Sequence, residues 1–145
     1  MICLLRDYWE NEMECFFVFV EGPDDERFIT SVLGNDKIKV IKYAREKKEY
    51  INRYIKSIKS IPNYDYIVIC DIDLKSLVEK KNAILAQFPD CEVEKNIVSI
   101  AEIESWYIAG VDEITSKAMK IKYVYYTDYI TTVSYTHLRA HETCA

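Results

Sequence analysis

Apolar residues come in short blocks along this chain, with polar segments of helical period between them. Four blocks read as strands: Phe16–Val20, Ile38–Tyr43, Tyr66–Cys70 and Asn96–Ile100. Short apolar runs bounded by turn-forming residues predict buried strands. The segments between them predict helices. Asp24 to Leu33 carries an apolar stripe of Phe28, Ile29, Val32 and Leu33. Pro23 and the acids Asp24, Asp25 and Glu26 suit its start, and Gly34 its stop. Lys47 to Ile61 places Ile51, Tyr54, Ile55 and Ile58 on one face and Lys48, Arg53, Lys56 and Lys59 on the other. Ser76-Leu77-Val78-Glu79 matches a capping box and opens a third helix. In it Leu77, Ile84, Leu85 and Phe88 are expected to face inward, and Pro89-Asp90 to end it. A short helix with Ile103, Trp106 and Tyr107 is expected before Gly110. From there to Thr132 the chain is Tyr-rich without a clear period.

Strands alternating with helices predict an α/β fold, a mainly parallel four-stranded sheet with helices on both faces. In such sheets ligands bind beyond the carboxyl ends of the strands, where the strand order reverses. An order of 2-1-3-4 makes the first and third strands neighbours around that point. Two acidic signatures fall there in the sequence. Glu21-Gly22 follows the first strand, and Asp71-Ile72-Asp73 follows the third. If the strand geometry continues, Asp71 and Asp73 share a face. Like charges held close must be compensated, and a hard divalent cation with oxygen ligands does so most simply.

Composition narrows the chemistry. With half its 145 residues apolar and only 3 Gly and 3 Pro, the chain can bury a core and is not of disordered composition. No stretch approaches the roughly 20 apolar residues that span a bilayer. The first fourteen residues, with Arg6, Asp7, Glu10, Glu12 and Glu14, do not resemble a secretion signal. A cytoplasmic location is the resulting expectation. The five cysteines (Cys3, Cys15, Cys70, Cys91 and Cys144) form no CxxC pair, which argues against a zinc or disulfide framework. The net charge of −5 weighs mildly against nucleic-acid binding, although an acidic site can meet phosphate through its cations.

The tail changes what catalysis is available. Val133 to Thr143 resembles the translated read-through of a transposase-based sequencing-library adapter. The expected organisation is one domain over 1–132, truncated at its C-terminus, and a non-native tail over 133–145. Both histidines, His137 and His141, fall in that tail. Catalysis by Ser-His-Asp or Cys-His groups is therefore not expected. Carboxylates, Lys, Tyr or metal-bound water remain.

The order and spacing of Val20-Glu21-Gly22 and Asp71-Ile72-Asp73 resemble the Toprim domain. That domain is shared by topoisomerases, bacterial primases and overcoming-lysogenisation-defect nucleases. The resemblance covers about Phe16 to Gly110. Val98 to Tyr107 is similar to a Glu-rich patch of uncharacterised Toprim-like proteins, some of them near phage-defence systems. The resemblance implies Mg²⁺ or Mn²⁺ held by Glu21, Asp71 and Asp73, and phosphodiester hydrolysis of nucleic acid with these residues as the catalytic set. It departs from its larger relatives in three respects. There is no topoisomerase tyrosine domain, no primase zinc-binding region and no GxxxxGK[ST] phosphate loop.

Glu102 and Glu104 are candidates for a further metal ligand. Positions i and i+2 do not share a helix face, and Glu104 is preferred for its place in the Glu-Ser-Trp pattern. Asp25 reads first as a helix-start carboxylate, and Trp106 first as core. Arg45, Lys47 and Lys48 follow the second strand and can hold a phosphate. Tyr123, Tyr125, Tyr126 and Tyr129 can stack on bases, or belong to an exposed strand. A second reading of the whole is a non-catalytic module that binds metal or a nucleotide and docks to a partner protein. A third is a fragment whose site is completed by a missing C-terminal segment.

Overall fold

The computed structural model describes residues 13–99, 104–120 and 122–127, with only the backbone of 96–99 and of Glu104. Its elements run β1 (Cys15–Val20), α1 (Pro23–Leu33), β2 (Ile38–Lys42), α2 (Lys48–Lys59), β3 (Tyr64–Asp71), α3 (Leu77–Gln87), a short 3₁₀ turn (Val93–Lys95), β4 (Asn96–Ser99), α4 (Glu104–Ala109) and α5 (Glu113–Ala118). The alternation expected from the sequence is present, and the fold is α/β.

β2, β1 and β3 form a parallel sheet with β1 in the middle. Phe16 pairs with Ile38 and with Asp65, and Phe19 with Ile41 and with Val68. All six residues of β1 are buried. Cys15, Phe17 and Phe19 share one core with Tyr66, Val68 and Cys70 of β3, with Ile51, Ile55 and Ile58 of α2, and with Ile84 of α3 and the following Phe88. Phe16, Val18 and Val20 project to the other face of the sheet and are buried as well. Burial on both faces is why β1 reads as an unbroken apolar run and not as an alternation. Edge-on aromatic contacts of Phe17 with Tyr54 and of Phe19 with Tyr66 fill this core.

The helix ends follow local chemistry. Ser76 Oγ accepts from the Glu79 N–H, and Glu79 returns a carboxylate oxygen to the Ser76 N–H at 2.8 Å, completing the expected capping box. Gly34 ends α1 by close approach, since its φ is −57° and not left-handed. A Cβ there would lie 2.1 Å from the Thr30 carbonyl oxygen, whose hydrogen bond from the Gly34 N–H closes the helix. Two expectations need correction. Leu77 is half exposed, because it is the first residue of α3. The third strand is also longer than its apolar run and includes Asp71.

The contacts divide the chain into two compact units. One comprises 1–70 and 76–98, and the other 71–75 and 99–145. The first contains β1 to β3 and α1 to α3. In the second, Asp112 caps α5 by accepting from the Thr115 N–H at 2.6 Å, and Ser105 and Ile108 of α4 are buried. Among the described residues no helix is long and apolar enough to cross a membrane.

Candidate functional site

Glu21 is the first residue after β1, half-buried, where the chain turns into α1. The turn is built by Gly22 and Asp25. The Gly22 N–H donates to Asp25 Oδ2 at 2.7 Å, so Asp25 performs the helix-start role read for it. Glu26, one residue on, pairs with Lys42 at the end of β2.

Two further side chains converge on Glu21. The Tyr43 hydroxyl donates to Glu21 Oε1 at 3.1 Å. The Lys80 ammonium approaches the same oxygen at 3.3 Å. Tyr43 is placed by the sheet: its N–H donates to the Val20 carbonyl at 2.9 Å, directly before Glu21. Its ring stands edge-on to Phe88 with centroids 5.5 Å apart. Lys80 is placed by α3, one turn after Ser76, and its side chain is only 6% exposed. An ammonium so deeply buried is costly unless a counter-charge meets it, and Glu21 supplies one. The Tyr43 hydroxyl is pushed well above the usual tyrosine range, first by burial and then by the charge of Glu21. It therefore stays a proton donor to Glu21 and is no candidate for a base or a nucleophile.

Neither Tyr43 nor Lys80 was picked out by the motifs, yet Lys80 left a signal. It stands four residues before Ile84, on the inward face of its own helix. A cation at an apolar position points to a buried partner. Tyr43 left a weaker one, as a polar tip at the end of an apolar run.

The second acidic signature is built differently. Asp71 is the last residue of β3 and is half-buried. Asp73 lies beyond the strand and is exposed. The Lys75 N–H donates to the Ile72 carbonyl at 3.1 Å, and Asp73 and Leu74 have φ of 53° and 63°. Positive φ at both central residues of such a turn is the mark of a type I′ turn. The strand alternation from which a shared face for Asp71 and Asp73 was expected ends before Asp73.

Arg45 and Lys47 in the turn between β2 and α2, and Lys48 at the first position of α2, are exposed. Lys47 is the residue that precedes the first turn of α2. The Glu104 side chain, Glu102 and Tyr129 lie outside the described residues. Trp106 is half-buried on α4. Tyr123, Tyr125 and Tyr126 are exposed in a segment without strand structure, and Tyr125 meets Tyr126 edge-on. The buried thiols of Cys15 and Cys91 are pushed up, chiefly by burial, which makes them poor nucleophiles.

Carboxylate oxygens are the right donors for a hard divalent cation. Among the described residues, no group of three or more His, Cys, Asp or Glu is placed to hold a metal ion. Mg²⁺ seldom needs such a cage, since one or two carboxylates with substrate phosphates and water commonly bind it. Comparison with family models, curated proteins and solved structures finds no match to this chain.

Proposed function

We propose that this chain is a Toprim-like unit that hydrolyses phosphodiester bonds in nucleic acid with Mg²⁺ or Mn²⁺. One observation carries the reading: Glu21 directly follows β1, and Asp71 is the last residue of the adjacent parallel strand β3, so both stand at carboxyl ends. The finer fold, a four-stranded Toprim-like sheet, is supported by the strand order β2-β1-β3-β4. This reading takes Glu21 in the one unit, and Asp71, Asp73 and Glu104 in the other, as candidate cation ligands. When bound, the cation would supply charge neutralisation at the phosphate and a more acidic water. Tyr43 and Lys80 fix Glu21 by its Oε1. Arg45, Lys47 and Lys48 meet flanking phosphates from the β2 side. A cytoplasmic location and phage defence belong to the same reading.

The test is cleavage of labelled DNA and RNA in Mn²⁺ or Mg²⁺ by the wild type, Asp71→Asn and Glu21→Gln. The reading expects metal-dependent cleavage that falls by at least about a hundredfold in either variant. Cleavage retained in both sinks it. A second reading is a non-catalytic module that binds metal or a nucleotide and docks to a partner protein. A metal-dependent rise in melting temperature without cleavage selects it. Activity gained only when a longer C-terminal segment is supplied selects an incomplete site.

A further inference from the structure

α2 carries a basic face of which the proposed function uses only the start. Over residues 47–59, five of thirteen are Lys or Arg and one is acidic, so this stretch is basic in a chain of net charge −5. Its apolar side is committed to the core, where Ile51, Ile55 and Ile58 are buried, which excludes insertion of this helix into a lipid surface. Lys42, Lys59 and Lys95 each meet a carboxylate. Arg53 and Lys56 are exposed and take part in no ion pair among the described residues. Tyr50, also exposed, stands three residues before Arg53. Tyr50, Arg53 and Lys56 therefore follow one another along one oblique row of the helix surface. The Tyr50 ring is backed by the core. It lies nearly parallel to Tyr54, at 14° with centroids 6.1 Å apart, and Tyr54 stands edge-on to the buried Phe17 at 5.4 Å. A half-exposed ring held in this way, with cations one and two steps along the row, matches what an unpaired nucleic-acid strand presents: flat bases and regularly spaced phosphates.

We propose that the row Tyr50, Arg53 and Lys56 binds single-stranded nucleic acid, with a base stacked on Tyr50 and neighbouring phosphates on Arg53 and Lys56. This rests on the nucleic-acid part of the function proposed above, and it names the form of the substrate. Bases in a duplex are stacked on one another, and only an unpaired strand can offer one to a tyrosine. The same ring decides against an acidic peptide, which would need the cations but not the aromatic face. Recognition of this kind tolerates any sequence, because every base has a π-face. The row belongs to the same compact unit as Glu21.

The experiment measures binding of short fluorescein-labelled oligo-dT and oligo-rU to the full chain by fluorescence anisotropy, in chelator and over a series of salt concentrations. A hairpin duplex and polyglutamate serve as competitors. For the wild type we expect binding of at least one of the two strands, against which either competitor is at least about tenfold weaker. Tyr50→Ala should weaken that binding at least about fivefold, and Tyr50→Phe should behave as wild type. Arg53→Gln combined with Lys56→Gln should flatten the slope of log affinity on log salt by roughly 1.4. Lys117→Gln combined with Lys120→Gln, the same change of charge in the other unit, should leave the slope unchanged. If Tyr50→Ala does not fold by circular dichroism, Tyr50→Leu removes the π-face while keeping an apolar contact for Tyr54. Wild-type affinity in the folded Tyr50 variant overturns the proposal, as does an equal loss in the two charge pairs. So does a wild type that binds neither strand, or that takes duplex or polyglutamate as tightly. Cleavage with Mn²⁺ by a chain whose α2 variants bind as wild type leaves the proposed function standing and this inference fallen. Binding as expected, without cleavage in Mn²⁺ or Mg²⁺, keeps the row and removes the nuclease.

Discussion

The ends of β1 and β3 carry the same kind of sequence and two different structures. Each is an apolar strand that runs into an acid before a helix. After β1, Glu21 is gripped by Tyr43 and Lys80, and the next residues are tied by the Gly22–Asp25 bond. After β3, the chain passes through a left-handed turn with Asp73 and Leu74 exposed. The difference lies in the backbone after each acid, a helix start tied by Asp25 after Glu21 and a left-handed turn after Asp71. β1 is the middle strand, and the end of β2 and the α3 helix both supply a donor to its acid. The lesson is that an acid at a strand end is not by itself a built site. The donors that hold Glu21 come from elements distant in sequence, and they leave no mark in the motif.

The largest expected effect breaks the lock directly. Glu21→Ala leaves the Lys80 ammonium buried without this counter-charge. It should cost about 2–3 kcal/mol, below the full range for a buried pair because Glu21 is partly exposed. Asp73→Ala, in the exposed turn, should stay within about 1 kcal/mol. Urea unfolding of the two variants measures the contrast, and equal losses would erase the distinction between the two ends.

An intermediate effect sharpens it by pH. The folded Tyr43 hydroxyl titrates well above its unfolded value near 10. Above that unfolded value the unfolded chain releases a proton that the folded chain keeps. Stability is therefore fully present below about pH 10 and declines as pH rises, by about 1.4 kcal/mol per unit for this group. Tyr54 and Tyr66 shift the same way and add to the slope. Tyr43→Phe should flatten the decline by one tyrosine's share in urea titrations between pH 9 and about 11. An unchanged slope would place the proton elsewhere.

The smallest effect concerns the turn. A leucine at φ 63° carries left-handed strain, roughly 1–2 kcal/mol for an L-residue, and its fully exposed side chain offers no packing in return. Leu74→Asn should stabilise by about 0.5–1 kcal/mol, read as a rise in melting temperature. A loss would mean that Leu74 has a role at this turn which exposure hides.

Much of the scaffold was legible because it rests on local periodicity. The strand blocks, the Ser76 capping box and the inward stripe of α2 all follow from spacing within one element. The neighbouring of β1 and β3 followed from topological rules for parallel sheets. What was not legible depended on residues distant in sequence. Lys80 lies 59 positions from Glu21, and no periodic pattern links them. The continuation of strand geometry through Asp73 was over-read for a different reason. Alternation holds only while the strand lasts, and a turn begins at Ile72.

The uniform burial of β1 leaves an ambiguity that the Glu21 lock resolves. With all six of its residues buried and apolar, the strand would look nearly the same to its neighbours after slipping by one position. The Val20–Tyr43 backbone bond and the Tyr43–Glu21 contact exist in one alignment only. A slipped strand would draw the carboxylate away from Tyr43 and from Lys80. The polar group at the end of the strand thus works as a proofreading mark, penalising every misaligned sheet whatever ligand Glu21 meets.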